Sequence, residues 1–402
     1  MKTLLWKTKQ RAPGRLSLAQ LKGEESMKIG STIVLAVIAL SIAASCAVAQ
    51  SIDTPTSPAV STSAVPAFST QPPGADAGFF YDQLLPYGQW FWLEPYGWVW
   101  TPNNVDVGWR PYTDGSWAYT DCGWTWVSDA PWGWAPYHYG RWFFHEHRGW
   151  CWVPDRVWGP GWVSWHFGDA WCGWAPLPPL VAWETTVNWD VLIPPFAWCF
   201  VGREDFLRPH LHKHIVVAAR NVTLLRETRN VTKFEIRDRR IINNSLGVDQ
   251  IERFTGKSVP RMKLTDVNSP SVARRASGGE LRVFRPAPTP GAVAIMPRTT
   301  SRPVVRPSPA TPLDELRRNE AERARVEAAQ RAQRENLERW HQRELQQPPR
   351  GLSAGELQQR HEAEHRAFNE QLDRERQVFE HRAQPQQNPP APPPMYGRRN
   401  NR

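Results

Sequence analysis

The chain has 402 residues, of which 38 are proline and 41% are hydrophobic, and it carries a formal net charge of +10. Twenty-one of its 23 tryptophans lie between Trp90 and Trp198, which excludes a uniformly disordered protein. It contains no glycine-rich phosphate loop of the Walker or Rossmann spacing, so the sequence offers no nucleotide-binding motif.

The first 49 residues are predicted to be a signal peptide. Lys28 precedes an apolar run over residues 33–44, and the small residues that follow end at Ala49. This charged, apolar and small-residue order is typical of secretory signals. We therefore expect cleavage after Ala49 and export to the periplasm or the cell surface. The sequence favours Met27 as the true start over an extended basic segment before it.

Two alternatives to simple cleavage arise in the same segment. The residues before Cys46 resemble a bacterial lipobox, so lipoprotein anchoring through Cys46 is one alternative. An uncleaved membrane anchor is the other, although the apolar run is shorter than the roughly 20 residues that a membrane span needs. Residues 50–78 are rich in Pro, Ser, Thr and Ala and are predicted to form a disordered linker.

Residues 79–200 contain an internal repeat. Three stretches begin at Gly88, Gly115 and Gly140, and each follows the order GxW, a short polar loop, then GWxW: they read GQWFWLEPYGWVW, GSWAYTDCGWTW and GRWFFHEHRGWCW. A degraded fourth copy begins at Gly161. Aromatic runs separated by turn-forming residues predict antiparallel β-hairpins, and their recurrence predicts tandem copies of one hairpin unit.

The WxW pairs suggest a binding surface, because residues i and i+2 of a strand project from the same face. Indole rings stack on the C–H faces of sugars and bury a large apolar area. The alternative is that the rings form the core of a small domain. The predicted glycan-stacking residues are Trp90, Trp92, Trp98, Trp100, Trp124, Trp126, Trp132, Trp134, Trp150 and Trp152.

Four cysteines lie within or at the end of the Trp-rich segment. An even number of cysteines in an exported protein predicts two disulfides, whose pairing the sequence leaves open, although free thiols are the alternative. The absence of a CxxC pair argues against a zinc ribbon or a thioredoxin-like site. The four residues are Cys122, Cys151, Cys172 and Cys199.

Other polar residues of this segment have simpler explanations than chemistry. Most of its acidic residues lie within two residues of Gly or Pro. Asp favours turns there because its side chain bonds nearby backbone amides, and this explanation outweighs a pair of glycosidase carboxylates. His145 and His147 flank Glu146 at the predicted tip of the third hairpin. Alternate histidines could share a metal ion, but a solvated loop is the better interpretation. We expect no metal site.

Three motifs resemble those of a known family. They are GWTWVS over residues 123–128, PWGWAPYHYGRW over residues 131–142 and GWAPLPP over residues 173–179. The chain resembles exported bacterial proteins with a Trp-rich domain of unknown function, some of which also carry a FecR-like domain, over about residues 79–287. The resemblance implies export and a β-rich fold, and it implies no activity. A FecR-like segment is missing from this sequence, and its cysteines look like local additions.

The rest of the chain is predicted to be mixed. Residues 206–287 read as a small α+β unit, with strands at 215–217 and 222–225 among others and one helix over residues 248–254. The segments that follow are a Pro/Arg-rich linker at 288–311, a charged helix at 312–347, a second charged helix at 353–383 and a disordered tail at 384–402. Ser353 and Glu356 predict a capping box for the second helix. Its thin apolar stripe makes a strong coiled coil doubtful.

The second helix carries an HExxH match at His361, Glu362 and His365. Histidines at i and i+4 share one face and could hold zinc, but a catalytic site also needs a third ligand and a dry cavity. We expect a solvated helix face instead. Ser353 also falls in a GxSxG match, where a helix cap explains it better than a nucleophile. The sequence therefore predicts no catalytic residue, no cofactor and no enzyme.

The fold class expected is mainly β: tandem Trp-rich antiparallel hairpin repeats, a small α+β unit, a Pro-rich linker and charged C-terminal helices. Residues 79–200 carry 4 basic and 11 acidic residues, and residues 201–402 carry 38 and 24. This layout favours contact with anionic polymers or with other copies of the chain, and an exported protein meets little nucleic acid.

We therefore expect a non-catalytic cell-envelope protein whose Trp-rich module binds an envelope glycan or another envelope component. The alternative is a structural scaffold with a Trp core and a weakly self-associating helical tail. A glycan-active or zinc-dependent enzyme is the remote alternative.

Overall fold

The computed structural model describes residues 77–179, 187–238, 240–273, 276–277, 279–286 and 312–383. The predicted signal peptide, the lipobox at Cys46, the linker at 288–311 and the C-terminal tail lie outside the described residues, as does almost all of the linker at 50–78. None of the described helices is both long and apolar enough to cross a membrane.

Four antiparallel hairpins follow a short helix, α1 (Ala77–Leu84). Each GxW…GWxW stretch corresponds to one hairpin, and the fourth copy corresponds to the last. The strands are β1 (Gly88–Leu93), β2 (Gly97–Pro102), β3 (Gly115–Thr120), β4 (Gly123–Ser128), β5 (Arg141–His145), β6 (Gly149–Val153), β7 (Val163–Phe167) and β8 (Trp171–Pro176).

The repeated motif places one tryptophan opposite another in every hairpin. The registers pair Trp90 with Trp100, Trp117 with Trp126, Trp142 with Trp152 and Trp165 with Trp174. Cross-strand neighbours on one face lie within side-chain reach, and aromatic pairs are among the strongest of these contacts. All of these tryptophans except Trp90 are buried. The spacing of the repeat is therefore explained by a core pair in each hairpin.

The chain after the hairpins adds further strands and short helices. It forms α2 (Trp189–Leu192), β9 (Cys199–Gly202), α3 (Asn221–Glu227), β10 (Arg229–Asn230), β11 (Phe234–Arg237), β12 (Arg240–Asn243), α4 (Val248–Thr255), β13 (Arg261–Asp266), β14 (Ala276–Ser277) and β15 (Glu280–Val283). The helix predicted at 248–254 is confirmed as α4. The strand predicted at 222–225 is wrong, because this segment is the helix α3, and residues 215–217 form no strand.

These added strands extend two of the three sheets that the hairpins begin. The sheets have the orders β1-β2-β6-β5, β10-β7-β8-β9 and β11-β12-β4-β3-β13-β15-β14. The contact between β12 and β4 is very close: a Cβ on Gly123 would lie 2.0 Å from the carbonyl oxygen of Asn243, and Gly123 has a φ of 81°. Only glycine fits this close approach and this backbone conformation. We refer to residues 77–286 as the body.

Two long helices complete the fold: α5 (Pro312–Gln346) and α6 (Ala354–Ala383). The predicted capping box is confirmed, since the Ser353 backbone N–H donates to Glu356 Oε2 at 2.8 Å and the Glu356 N–H donates to Ser353 Oγ at 3.3 Å. The antiparallel sheets and the C-terminal helices agree with the predicted fold class. With 35 and 30 residues, these helices give the chain more helix than a mainly β fold implies.

The helix pair packs on the body rather than extending away from it. The ring of Trp340 in α5 lies 6.0 Å from the ring of Trp171 in β8. Three apolar side chains of the pair, Leu337, Leu357 and Phe368, are buried.

Candidate functional site

Hairpin β1–β2 carries four tryptophans on one face, which we call the indole ladder: Trp90, Trp92, Trp98 and Trp100. Their exposure rises along the hairpin. Trp100 is fully buried, Trp90 and Trp98 are half-buried, and Trp92 is 38% exposed. Trp92 is the one tryptophan among the 21 within the described residues that is classed as exposed. The ladder therefore runs from the core to the surface.

The outer end of the ladder forms an aromatic corner. The rings of Trp92 and Trp98 are perpendicular, with centroids 6.0 Å apart. The Trp92 indole N–H donates to Glu94 Oε1 at 2.8 Å, so the carboxylate of the turn fixes the ring orientation. An indole that is held in one orientation loses less conformational entropy when a ligand stacks on it.

The inner end joins the ladder to the core. Trp90 packs against Tyr81 and Trp152, with ring centroids 5.9 and 6.1 Å away. The indole N–H of Trp100 donates to the carbonyl oxygen of Leu84 at 3.3 Å.

Seven of the ten predicted stacking residues are buried. Some indole N–H groups inside the body donate to backbone carbonyls, as Trp124 does to Leu246 and Trp152 does to Tyr139, whereas that of Trp126 is buried without a hydrogen-bond partner. These rings pack edge to face against one another, and no polymer can reach their faces in this conformation. The stacking prediction is thereby narrowed to Trp90, Trp92 and Trp98. The buried seven are Trp100, Trp124, Trp126, Trp132, Trp134, Trp150 and Trp152.

The disulfide prediction is wrong for the described residues. Cys122, Cys151, Cys172 and Cys199 are buried and form no disulfide with one another. Cys172 and Cys199 lie on neighbouring strands, but the register places Cys172 opposite Val201 and Cys199 opposite Trp174. The alternative of free thiols, which the sequence left open, describes the structure. Burial raises the pKa of the Cys122 thiol to about 11, which lowers its reactivity.

The aspartates of the hairpin loops bind local groups. Asp155 Oδ1 accepts from the backbone N–H groups of Arg156 and Val157 at 2.5 and 3.2 Å. Asp114 Oδ2 accepts from the Trp109 indole at 2.9 Å. These are structural contacts of the kind that favour Asp in turns.

The histidines at the tip of the third hairpin meet the end of α6. The ring of His147 lies 3.7 Å from that of His381, and the His147 backbone N–H donates to His145 Nδ1 at 3.1 Å. Across the described part of the chain, no three or more His, Cys, Asp or Glu side chains are arranged to hold a metal ion.

The HExxH segment is a solvated face in part, because Glu362 and His365 are exposed. His361 is largely buried and Glu364 fully so, because α6 packs against α5 and α3. Both residues belong to a network of charged groups that the sequence analysis missed. No periodic signal marks this network, since its members come from α5, from α6 and from the region of α3, which lies more than a hundred residues earlier in the chain.

A cleft of about 130 Å³ lies between the body and the helix pair. Its walls include Trp109, Trp150 and Phe379. Two acidic residues that line it already have partners within the chain: Asp106 pairs with Arg325, and Glu375 accepts from the side chains of Gln330 and Gln371. The cleft is therefore a junction between the body and the helix pair. It is a weaker candidate for a binding site than the exposed corner of the ladder.

Comparison with known proteins yields one family. Residues 81–181 match a family of unknown function, DUF6600. The matched segment contains all eight hairpin strands and the second half of α1, and it covers about a quarter of the chain. This supports the resemblance to a domain of unknown function over these residues. No curated protein and no solved structure matches the chain.

Proposed function

We propose that the protein is an exported, non-catalytic cell-envelope protein whose tryptophan-rich body presents one small surface for an envelope glycan. That surface is the outer end of the indole ladder. The observation that carries the proposal is the exposed, oriented ring of Trp92 beside Trp98. Export rests on the signal-peptide pattern that ends at Ala49.

The chemistry of the corner suits a sugar. A perpendicular pair of indoles offers one ring face and one ring edge, and stacking on the C–H face of a pyranose needs no further charge. Glu94 stands at the same corner and can accept a hydroxyl hydrogen bond. Two or three rings give weak binding to one sugar, so a polymer that engages many copies of the protein gains by avidity.

The scaffold alternative is favoured by a different observation. Fourteen of the 21 tryptophans in the described residues are buried, so most of the aromatic composition serves the core. Under this alternative the exposed corner binds nothing, and the body is a rigid spacer. The two proposals share the same core and differ only in what Trp92 and Trp98 do.

The test is binding of purified peptidoglycan and of an acidic polysaccharide to the full chain. The double variant Trp92→Ala and Trp98→Ala should lose at least about tenfold in affinity for one of these polymers, since each stacking ring contributes on the order of 1 kcal/mol. Leu192→Ala is the matched control, because Leu192 is an exposed apolar residue elsewhere on the body, with 44% exposure.

Thermal unfolding would first establish that both variants are folded. Equal binding by the folded double variant and by the control would overturn the glycan proposal and favour the scaffold.

A further inference from the structure

The exposed corner, formed by Trp92 and Trp98, has a counterpart in the third hairpin. Aligned position by position, the third stretch has Phe144 and Trp150 at the same places. In both hairpins the two rings lie opposite each other in the strand register. The ring centroids of Phe144 and Trp150 are 5.7 Å apart and their planes are at 80°, against 6.0 Å and 90° in the exposed corner. We call Phe144 and Trp150 the covered corner.

The two corners lie on one face of one sheet. β2 and β6 pair antiparallel, with Trp100 opposite Trp152, so the aromatic residues of both hairpins point to the same side. The antiparallel pairing also places the two hairpin turns at opposite ends of the sheet. Glu146 stands in the third turn where Glu94 stands in the first. In sequence, register and ring geometry, the covered corner is therefore a second copy of the surface proposed to bind glycan.

The open end of the helix pair covers this second copy. We call that end the flap, and it consists of residues 322–330 of α5 and 374–381 of α6. Trp150 is 7% exposed, whereas Trp92 is 38% exposed. The cleft of about 130 Å³ separates the flap from the covered corner, and both contribute to its walls. The flap residues with apolar side chains in these walls are Val326, Val378 and Phe379.

The flap also covers a third ring beside the corner. The ring of Phe196, in the body, lies 5.2 Å from that of Phe144. The guanidinium of Arg374 in the flap lies 4.2 Å above the Phe196 ring, so a planar group already occupies a ring face on which a sugar could stack. Next to it, the ring of His381 lies 3.7 Å from that of His147 in the hairpin turn. Opening of the flap would therefore uncover three aromatic rings of the body.

The flap is held less firmly than the rest of the helix pair. None of its side chains is buried. Its ion pair with the body, Arg325 with Asp106, is exposed, and such pairs contribute little to stability. At the other end of the pair, Leu337 is fully buried and Arg220 Nη2 lies 2.7 Å from Glu344 Oε1. Segments with few buried contacts open at a small local cost in free energy, so the flap can open while the other end stays docked.

We propose that the covered corner is a second binding site for the same envelope glycan and that the flap is its autoinhibitory cover. This inference rests on the function proposed for the exposed corner. The closed cleft is smaller than the roughly 300 Å³ at which ligand pockets begin, so a sugar chain enters only when the flap opens. Asp106 lines the same cleft and loses Arg325 on opening, which frees a carboxylate to accept a hydroxyl hydrogen bond.

Competition between the flap and the glycan sets the apparent affinity of the covered corner. A flap that is open about 1% of the time weakens this affinity about a hundredfold. At ligand concentrations that fill the exposed corner, the unmodified chain therefore binds at one site. Opening gives each chain two sites at opposite ends of one sheet, which lets it bridge two glycan strands and gain avidity.

The experiment follows both corners by site-resolved hydroxyl-radical oxidation of the full chain, without and with a soluble peptidoglycan fragment. Val378→Asp with Phe379→Asp places two carboxylates against the covered corner, where burial opposes their charge and opens the flap. Without the fragment, oxidation of Trp150 should rise at least about fivefold, while Trp152 in the core stays protected. The fragment should then slow oxidation at Trp150 over the same concentrations at which it protects Trp92.

Two further variants identify the cause. Val191→Asp with Leu345→Asp adds the same charge at apolar residues that are 78% and 65% exposed, and should leave Trp150 protected. Phe144→Leu, added to the open variant, keeps an apolar side chain but removes a ring. It should weaken the fragment's effect at Trp150 at least about fivefold and leave its effect at Trp92 unchanged. Val326→Asp enters the same cleft from α5 and replaces the double variant if that variant fails to fold.

The outcomes separate this inference from the function proposed above. Trp150 that stays protected in folded open variants would overturn the inference, because the cover would then be permanent. Exposed Trp150 that the fragment leaves unprotected, while it protects Trp92, would overturn it as well. If the fragment protects Trp150 but never Trp92, the covered corner stands and the proposed function of the exposed corner fails. Protection of neither residue would overturn both.

Discussion

The interior of the body and the contact between the body and the helix pair are stabilised by different interactions. The interior of the body is built from indole rings, several of whose N–H groups donate to backbone carbonyls, as Trp174 does to Tyr112 at 2.9 Å. The contact of the helix pair with the body centres on Arg220, Glu344 and Glu364. Apolar burial depends little on pH, whereas buried ion pairs depend on the protonation of every member. The difference teaches that the body is held together mainly by aromatic packing, whereas its contact with the helix pair depends on buried charged groups.

The variant with the largest expected effect tests whether the indoles of the body form its hydrophobic core. Trp152 is fully buried and its indole N–H donates to the Tyr139 carbonyl at 2.6 Å. Trp152→Ala should lower the free energy of unfolding by about 3–5 kcal/mol, measured by denaturant titration. Trp92→Ala is the matched control at the exposed end of the ladder and should cost less than about 1 kcal/mol. Equal costs would remove the distinction between core and surface indoles.

A second variant would test the charged contact. Arg220→Met removes one cationic partner of both Glu344 and Glu364 and leaves these two buried carboxylates less well compensated, which costs about 3–5 kcal/mol. Amide hydrogen exchange at pH 7.5 should then show loss of protection in α5 and α6, with the strands of the body unchanged. Arg339→Met removes an exposed pair with Glu335 at 3.8 Å and should change protection very little. Helices that remain equally protected in Arg220→Met would contradict the electrostatic account of docking.

The body has a pH dependence of its own, through one buried histidine. Burial lowers the pKa of His138 to about 4, and its Nδ1 bonds the Gly159 carbonyl at 2.9 Å. The unfolded chain therefore binds the extra proton below about pH 6.5, so stability is fully present above that pH and is lost as the pH falls toward 4. The free energy of unfolding should fall by about 2–3 kcal/mol between pH 7 and pH 4.5 through this residue. His138→Gln should show a correspondingly shallower dependence, and an unchanged slope would contradict the assignment.

The smallest expected effect is that of reductant. Because the four cysteines of the body are buried and form no disulfide with one another, a reducing agent should leave the melting temperature of the body unchanged. Alkylation followed by peptide mapping should find Cys122, Cys151, Cys172 and Cys199 unmodified in the folded protein and modified after denaturation. A drop in melting temperature with reductant would restore the disulfide prediction.

Local sequence patterns predicted the local structure well. The GxW…GWxW stretches coincide with hairpins because turn residues and alternating aromatics act over a few residues, and the Ser353 capping box is equally local. The segment at 222–225 was mistaken for a strand because its β-branched residues favour strands, while its packing against Pro195 and α6 makes it helical.

Long-range arrangements could not be predicted in the same way. Alternation shows that Trp98 and Trp100 share a face but not which of them the rest of the chain covers. The two ends of the ladder differ because α1 lies against Trp100, through the Leu84 carbonyl, while the turn at Glu94 is open. Likewise, the charged pattern of α5 and α6 looks solvated until Arg220, from a distant segment, supplies the counter-charge.

Site-resolved oxidation of tryptophan by hydroxyl radicals tests the central claim most directly, namely that the exposed end of the ladder is the ligand surface of an otherwise buried aromatic core. In the folded full chain, Trp92 should be oxidised fastest within the ladder, while Trp100, Trp124 and Trp152 remain protected. Soluble peptidoglycan fragments should then slow oxidation at Trp92 and leave the half-buried Trp340 unchanged. Comparable oxidation of Trp92 and Trp152, or no change at Trp92 with any envelope glycan, would contradict the account.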